Sequence, residues 1–194
     1  GLEAAHQKYG KLAWSELVQP AIDLAANGWA LTEREARGLN ANREAFMQYN
    51  TVQPEFFLAP EDQPWKEGDT VSIPDLAKTL ERIRNNGRDG FYKGETAQLI
   101  VEEMKRGNGL ISLEDLEKYQ AVWREPVTGT YRDYGFISMP PPSSGGIALA
   151  QLFNSVEGLN LSKTGFHSVE TIHAMVEAER RVYADRAKHL GDPD

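Results

Sequence analysis

The side chains most suited to catalysis or ligand binding lie at residues 139–146, which read Met-Pro-Pro-Pro-Ser-Ser-Gly-Gly. A serine that precedes glycines at a helix start could be a nucleophile, and Ser143 and Ser144 are the candidates. However, the Gly-x-Ser-x-Gly turn typical of hydrolase nucleophiles is absent. The run could instead bind an anion, because free amides and the helix dipole converge at a helix N-terminus. Composition favours a third interpretation, a proline-stiffened turn with a serine cap and close backbone packing at Gly145 and Gly146.

A second candidate is the acidic and basic pair Asp185 and Arg186 near the end of the chain. Adjacent helical residues point about 100° apart, so the two side chains are predicted to bond to different partners. Paired charges of this kind more often hold elements of the fold in place than take part in a reaction, so we favour a structural role for Asp185 and Arg186. Asp185 with Asp192 and Asp194 could be considered for calcium, but these residues lack the dense oxygen spacing of a calcium loop. No metal site is therefore predicted.

The histidines also show no metal-binding spacing such as His-Glu-x-x-His. They are His6, His167, His173 and His189. Paired carboxylates, such as Glu102 with Glu103, are expected on solvent-facing helix surfaces. These residues therefore add no candidate site.

Bulk composition excludes several classes of function. The 194 residues carry a formal net charge of −8, which disfavours binding to nucleic acid or to an anionic membrane surface. The chain has no cysteine, so disulfides, cysteine nucleophiles and cysteine-ligated zinc are excluded. No apolar run approaches the roughly 18 residues of a membrane span. Because the chain starts at Gly1 and already reads as a helix, we expect that the natural protein begins earlier.

Residues 1–120 are predicted to be mainly helical. Apolar residues at helical spacing predict helices that end near Gly28, near Gly87 and near residues 107–109. A capping-box pattern at Thr32 and Glu35 predicts a helix that runs toward Phe46.

Two further segments complete this part of the chain. Ser112 with Asp115 predicts a short helix through Tyr119. Residues 50–73 hold Pro54 and Pro60 and are predicted to form a loop.

Residues 121–194 are predicted to hold a sheet hairpin and two core helices. Val127, Gly129 and Tyr131 alternate as in a strand, a turn is expected at 132–135, and a second strand at 136–139. The helix that starts at Gly145-Gly146 is apolar around most of its circumference, so it should be buried between layers. Ser168 is predicted to cap a long final helix.

The order of several short motifs resembles the large subunit of the γ-glutamyltransferase family. In chain order they are Val-Gln-Pro-Ala at 18–21, Lys-Glu-Gly-Asp at 66–69, Leu-Ala-Lys-Thr-Leu at 76–80, Gly-Phe-Tyr-Lys-Gly at 90–94, the Pro-Ser-Gly run at 139–146, Tyr-Ala-Asp-Arg at 183–186 and Leu-Gly-Asp-Pro-Asp at 190–194. The resemblance spans nearly the whole chain. It implies an α+β, predominantly helical fragment of an N-terminal nucleophile (Ntn) hydrolase αββα sandwich, with one short hairpin near 122–139, and one partial domain over 1–194.

The resemblance also implies the chemistry of the family. A precursor cleaves itself into two subunits, and the new N-terminal threonine of the small subunit attacks the γ-glutamyl amide of glutathione and related compounds. Its own α-amine acts as general base. Water or an amino-acid or peptide acceptor then resolves the acyl-enzyme. The family needs no metal or organic cofactor, and a periplasmic or secreted location is implied.

The expected partners are the small subunit, the missing N-terminal part of the large subunit and small γ-glutamyl substrates, with no nucleic acid and no membrane. The family's nucleophile and most substrate-binding residues lie downstream of Asp194, and its carboxylate-binding arginine lies upstream of Gly1. No catalytic, cofactor-binding or metal-binding residue is therefore assigned, and the chain alone should be inactive. Structural support of the site is expected at most from Ser143, Ser144, Gly145 and Gly146.

Two other functions remain open at this point. One is different chemistry on the same framework, such as a poly-γ-glutamate transferase or a β-lactam acylase. The other, of another class, is a non-catalytic helical interaction module.

Overall fold

The computed structural model describes residues 1–50, 58–59 and 63–192. Parts of the loop predicted over 50–73, including Pro54 and Pro60, lie outside these ranges, as do Pro193 and Asp194. The chain divides into two compact units, Gly1–Ala121 and Val122–Asp194. The predicted α+β architecture with a predominance of helix is confirmed.

The first unit is built from helices and one short pair of strands. Its elements are α1 (Leu2–Tyr9), α2 (Trp14–Asn27), β1 (Trp29–Ala30), α3 (Glu33–Ala41), α4 (Arg43–Tyr49), β2 (Thr70–Val71), α5 (Pro74–Asn86), α6 (Asp89–Tyr92), α7 (Gly94–Arg106) and α8 (Leu113–Lys118). The antiparallel pair β1–β2 joins Trp29 to Val71 and was not predicted from the sequence.

Three small apolar clusters hold the first unit together. Ile22 and Ala25 of α2 pack on Ala77 of α5. Leu31, Ala36, Trp65 and Val71 form a second cluster around the β1–β2 pair. Ala97 and Val101 of α7 meet Leu116 of α8 in a third. The helices in these clusters, α2, α3, α5, α7 and α8, therefore each bury one face.

The predicted ends of α2, α5 and α7 are confirmed within one residue. Gly28 follows α2 at φ +84°, and a Cβ at this position would overlap the Val71 carbonyl and the Thr70 side chain. Only glycine combines this backbone conformation with so close an approach to β2.

The capping box predicted at Thr32 and Glu35 is confirmed, and the predicted N-cap residue Ser112 also forms a capping box with Asp115. The Thr32 hydroxyl accepts from the Glu35 amide and the Ser112 hydroxyl from the Asp115 amide, while each carboxylate accepts in return from its cap residue. The hydroxyl and amide donors of Thr32 lower the pKa of Glu35, and those of Ser112 lower the pKa of Asp115. The prediction of one helix from Thr32 to Phe46 is wrong, because the helix breaks at Asn42. The Asn42 side chain donates to the Gly38 carbonyl at 2.8 Å, a local bond that competes with helix continuation.

The second unit contains a hairpin and three helices among its described residues. They are β3 (Val127–Tyr131), β4 (Tyr134–Ser138), α9 (Gly145–Val156), α10 (Leu161–Thr164) and α11 (Val169–His189). The predicted antiparallel hairpin is confirmed, with Val127 opposite Ser138 and Tyr131 opposite Tyr134. Its turn is shorter than predicted, since β4 begins at Tyr134. Arg132, at φ +52°, lets the chain reverse within two residues.

Helix α9 packs against both the hairpin and α11. The Phe153 ring stacks on Tyr131 with centroids 4.9 Å apart and lies 5.3 Å from the Phe136 ring. The prediction that α9 is buried holds only in part, because its apolar side chains are half-buried. Two strands and one long helix are too few to cover its whole circumference. The predicted cap of α11 is confirmed, since the Ser168 hydroxyl accepts from the Thr171 amide.

Candidate functional site

The Pro-Ser-Gly run forms the connection from β4 to α9. Proline cannot donate to a strand ladder, so β4 ends at Ser138, two residues before Pro140. Gly146 then brings the first turn of α9 against the chain that leaves the strand. A Cβ at Gly146 would overlap the Met139 carbonyl oxygen and lie 3.2 Å from the Ser138 Cβ atom. The close backbone packing predicted here is therefore present at Gly146.

The predicted serine cap is wrong for Ser144. This residue has helical dihedral angles and makes no side-chain cap hydrogen bond. Its hydroxyl instead accepts from Arg186 Nε of α11 at 2.8 Å. The Ser143 hydroxyl accepts from the Gly145 amide at 3.5 Å, at the limit of a hydrogen bond. The Ser144 hydroxyl therefore bonds to Arg186, 42 residues further along the chain, and not to the amides at the helix end as the sequence predicted.

Asp185 contacts a residue of α9 and Arg186 the residue just before α9, so the two have different partners, as their angular separation predicted. Asp185 Oδ2 accepts from Gln151 Nε2 at 3.2 Å, and Arg186 donates to Ser144. The Gln151 Oε1 atom is buried and finds no donor among the residues that the structure describes. These two hydrogen bonds thus tie α11 to the start of α9 at Ser144 and to its middle at Gln151. The sequence did not single out Gln151, although its position seven residues after Ser144 places both on one face of α9.

The surroundings of the two serines do not support a nucleophilic hydroxyl. A serine nucleophile needs a general base that accepts its proton. Ser144 accepts from a guanidinium, which stays protonated in proteins and cannot take a proton. The geometry therefore favours the structural interpretation of the run over the nucleophilic one.

Within the described ranges, no group of three or more His, Asp or Glu side chains is arranged to hold a metal ion. Asp194, one of the three aspartates considered for calcium, lies outside those ranges. His6 contacts the Leu12 carbonyl at 2.8 Å and lies against the Trp14 ring. His167 stacks on Phe166. These two histidines therefore have packing partners of their own.

A cleft opens at the end of the hairpin opposite its turn, with a volume of about 790 Å³. One wall is the chain that enters β3, including Val122, Trp123 and Pro126, and the other is Ile137, Met139 and the prolines up to Ser143. No motif in the sequence pointed to Trp123 or Ile137 as residues of a site.

No helix in the described part of the chain has the length and apolar character needed to cross a bilayer.

Comparison with known proteins places this geometry in a family. The chain is 43% identical over its 194 residues to the glutathione hydrolase proenzyme of Escherichia coli (strain K12), and it covers 33% of that protein. The crystal structure of Helicobacter pylori gamma-glutamyltranspeptidase matches 99% of the chain with a TM-score of 0.94 and 44% identity, over 55% of its own chain.

More distant relatives carry other names. The acylase ACY 1 proenzyme of Pseudomonas sp. (strain V22) is 33% identical over 96% of the chain, which covers 33% of that entire protein. The capsule biosynthesis protein CapD proenzyme of Bacillus anthracis is 35% identical over the whole chain, which covers 35% of it. The chain thus spans about a third of the length of the relatives it matches.

The sequence profile described as gamma-glutamyltranspeptidase matches residues 1–194 without a gap at either end. Together with the structural match to the Helicobacter pylori enzyme, this means that the chain belongs to the gamma-glutamyltranspeptidase family, whose fold is that of the Ntn hydrolases.

Proposed function

We propose that this chain is part of the large subunit of an enzyme that cleaves γ-glutamyl amides such as glutathione and transfers the γ-glutamyl group to water or to amino-acid and peptide acceptors. The observation that carries the proposal is the match over all 194 residues to glutathione hydrolase proenzymes. The word proenzyme in their names is consistent with a precursor that is processed into two subunits.

The proposed reaction uses a threonine hydroxyl at the new N-terminus of the small subunit. Its α-amine takes the hydroxyl proton as the oxygen attacks the γ-carbonyl carbon. The amide C–N bond breaks, the leaving amine takes the proton, and a γ-glutamyl ester remains on the threonine. Water or an acceptor amine then attacks the ester and restores the hydroxyl. The contacts of the two serine hydroxyls, a guanidinium at Ser144 and a backbone amide at Ser143, are compatible with a nucleophile on the small subunit.

In this proposal, Ser143, Ser144, Gly145 and Gly146 support the site without contacting substrate. The run sets where α9 starts beneath the hairpin, through the close approach at Gly146 and the Ser144–Arg186 hydrogen bond. In this proposal the enzyme uses no cofactor. Its proposed location is the periplasm or outside the cell.

The test is release of p-nitroaniline from a γ-glutamyl p-nitroanilide by the full-length protein that carries this sequence. We expect release by the processed enzyme, acceleration by an acceptor dipeptide, and loss of release when the N-terminal threonine of the small subunit is replaced by alanine. The 194-residue chain alone should release none. A full-length protein that is processed but does not cleave the anilide would refute the proposed activity.

A second candidate is an acylase that acts on other amides, and the 33% identity to the acylase ACY 1 proenzyme favours it. The residues that discriminate between acyl groups lie outside this chain in either case. Parallel assays of the full-length protein with a γ-glutamyl anilide and a β-lactam acyl amide separate the two candidates. We expect hydrolysis of the γ-glutamyl compound to be the faster reaction.

A further inference from the structure

We infer that the Asn108-Gly109 pair, in the connection from α7 to α8, is a site of spontaneous succinimide formation. The reaction replaces the side-chain amide of Asn108 by a carboxylate, and so adds a negative charge just beyond the end of α7. The inference is independent of the proposed function, since it involves neither a catalytic residue nor a substrate.

Asparagine followed by glycine is the dipeptide in which this reaction meets the least steric hindrance, because glycine has no Cβ atom to crowd the attacking nitrogen. The chain contains three such pairs, at 27–28, 86–87 and 108–109. They lie at the ends of α2, α5 and α7. The sequence alone therefore does not distinguish the three pairs, whereas the packing around each of them does.

The reaction begins when water or hydroxide removes the proton of the glycine amide. The glycine nitrogen then attacks the asparagine Cγ atom, the Cγ–Nδ2 bond breaks, and the leaving nitrogen takes a proton from the solvent and departs as ammonia. Water opens the resulting ring at either carbonyl carbon. Attack at Cγ gives aspartate in a normal backbone, and attack at the main-chain carbonyl gives isoaspartate. The net change consumes water and releases ammonia.

Two movements must precede ring closure in the folded chain. The glycine N–H must leave its acceptor, and the backbone must rotate about the Cα–C bond of the asparagine. The amides of Gly28, Gly87 and Gly109 each donate to a carbonyl of the preceding helix, at 2.8, 2.8 and 2.7 Å. The hydrogen bond that must break is thus alike in the three pairs, and they differ in the packing that the rotation disturbs.

Tertiary contacts hold the first pair in place. Gly28 leads directly into β1, whose Trp29 pairs with Val71 of β2. A Cβ on Gly28 would overlap the Val71 carbonyl, so β2 closely covers this peptide. Rotation at Asn27 would therefore separate the two strands and open the apolar cluster around them.

The second pair is held by contacts of both its residues. The Asn86 side chain donates to the Arg82 carbonyl at 3.2 Å. The Glu3 carboxylate lies against Gly87 and accepts from the amide of Arg88. Rotation at Asn86 would disturb these contacts and displace α6, which packs on α5.

The third pair has few neighbours. Residues 105–115 are all exposed, and Leu110, which follows the pair, is 95% exposed. The Asn108 side chain makes no hydrogen bond to any residue that the structure describes. A Cβ on Gly109 would meet chiefly the Met104 sulfur, which is the end of a flexible side chain. Rotation at Asn108 therefore disturbs only the last turn of α7, and helix ends fray readily.

The backbone conformation of Asn108 also favours the movement. Its φ is +55°, in the left-handed region that is strained for a residue with a Cβ atom. Glycine is the usual residue at such a position after a helix, and asparagine is the less common choice. Leaving this conformation releases strain, whereas Asn27 and Asn86 would lose a favourable helical one. We therefore expect Asn108 to react first.

The experiment follows the full-length protein that carries this sequence during incubation in mildly alkaline buffer. Trypsin separates the three pairs into peptides 12–34, 85–88 and 107–118, because each is bounded by Lys or Arg. Mass spectrometry then measures in each peptide the mass increase that accompanies exchange of NH2 for OH, relative to a sample taken before incubation. We expect the modified fraction of peptide 107–118 to grow roughly tenfold or more faster than that of either other peptide.

Asn108→Gly is the matched control, because glycine suits the left-handed position and peptide 107–118 contains no other asparagine or glutamine. This variant should show no mass increase in that peptide, and an increase would overturn the inference. In denatured protein the three pairs should react at similar rates, since only the fold separates them. Equal rates in the native protein, or a faster reaction at Asn27 or Asn86, would also overturn the inference.

Discussion

Replacing Gly146 by alanine should destabilise the second unit, whereas the same change at Gly145 should not. Both glycines lie in the first turn of α9. A Cβ at Gly146 would overlap the Met139 carbonyl oxygen, a backbone atom that no side-chain rotation can move. A Cβ at Gly145 would meet only the Ser143 hydroxyl, at 3.7 Å, which is an ordinary contact. Comparing the two variants therefore separates the effect of steric crowding on stability from the effect of helix propensity.

The magnitudes follow from two opposing effects. Alanine in place of glycine stabilises a helix by about 0.5–1 kcal/mol. Overpacking a close contact costs typically about 1–3 kcal/mol, and a clash with backbone belongs at the upper end. Gly146→Ala should therefore lower the free energy of unfolding by about 1–2 kcal/mol, while Gly145→Ala leaves it unchanged or raises it by up to about 1 kcal/mol.

The assay is urea unfolding followed by circular dichroism, with the free energy taken by linear extrapolation. At about 2–4 °C per kcal/mol for a chain of this size, the two variants should also differ by roughly 2–12 °C in Tm. Hydrogen exchange measured across α9 localises the effect to the second unit. Equal stabilities of the two variants, or a more stable Gly146→Ala, would show that the close approach to Met139 does not constrain the turn.

Three further predictions concern the serine, the capping boxes and the isolated chain. Ser144→Ala in the full-length protein should retain anilide cleavage and lose at most about 1 kcal/mol of stability, because only one exposed hydrogen bond to Arg186 disappears; a loss of a thousandfold or more in kcat would instead identify Ser144 as the nucleophile. The lowered pKa values of Glu35 and Asp115 mean that their stabilising contribution is present above their unfolded pKa, near pH 4, and is lost as pH falls through the folded values. Glu35→Gln should therefore reduce the loss of stability below about pH 4 in urea titrations, and an unchanged pH profile would contradict the cap assignment. The 194-residue chain should self-associate as its concentration is raised in sedimentation experiments, since large apolar side chains remain exposed; a chain that sediments as a monomer at every concentration would contradict this.

Local signals predicted a large part of the fold. Each of the confirmed helix ends and caps depends on residues within one turn of one another, such as Thr32 with Glu35 and Ser168 with Thr171. Such interactions form wherever the sequence occurs, so a pattern in the sequence is enough to predict them. The break at Asn42 shows the limit, because a local side-chain bond to the Gly38 carbonyl accompanies the end of the helix and the sequence pattern did not indicate it.

Long-range contacts could not be predicted in the same way. The short pairing of Trp29 with Val71 joins residues far apart in sequence, and neither two-residue strand has a readable alternation. The half-burial of α9 depends on how many elements surround it, which its own apolar pattern does not specify.

The sequence alone determined the family, the predominance of helix, the caps at Thr32, Ser112 and Ser168, and the fact that the turn at 139–146 joins a strand to a helix. These properties follow from short-range chemistry and from the order of motifs along the chain. Only the tertiary structure decided what the turn does. The Ser144 hydroxyl bonds to Arg186 rather than to the helix end, Gly146 lies too close to the Met139 carbonyl for a Cβ to fit without a shift, and the cleft beside Ile137 is open. The physical reason is that a polar group bonds to whichever partner packing brings nearest, and packing is set by the whole chain.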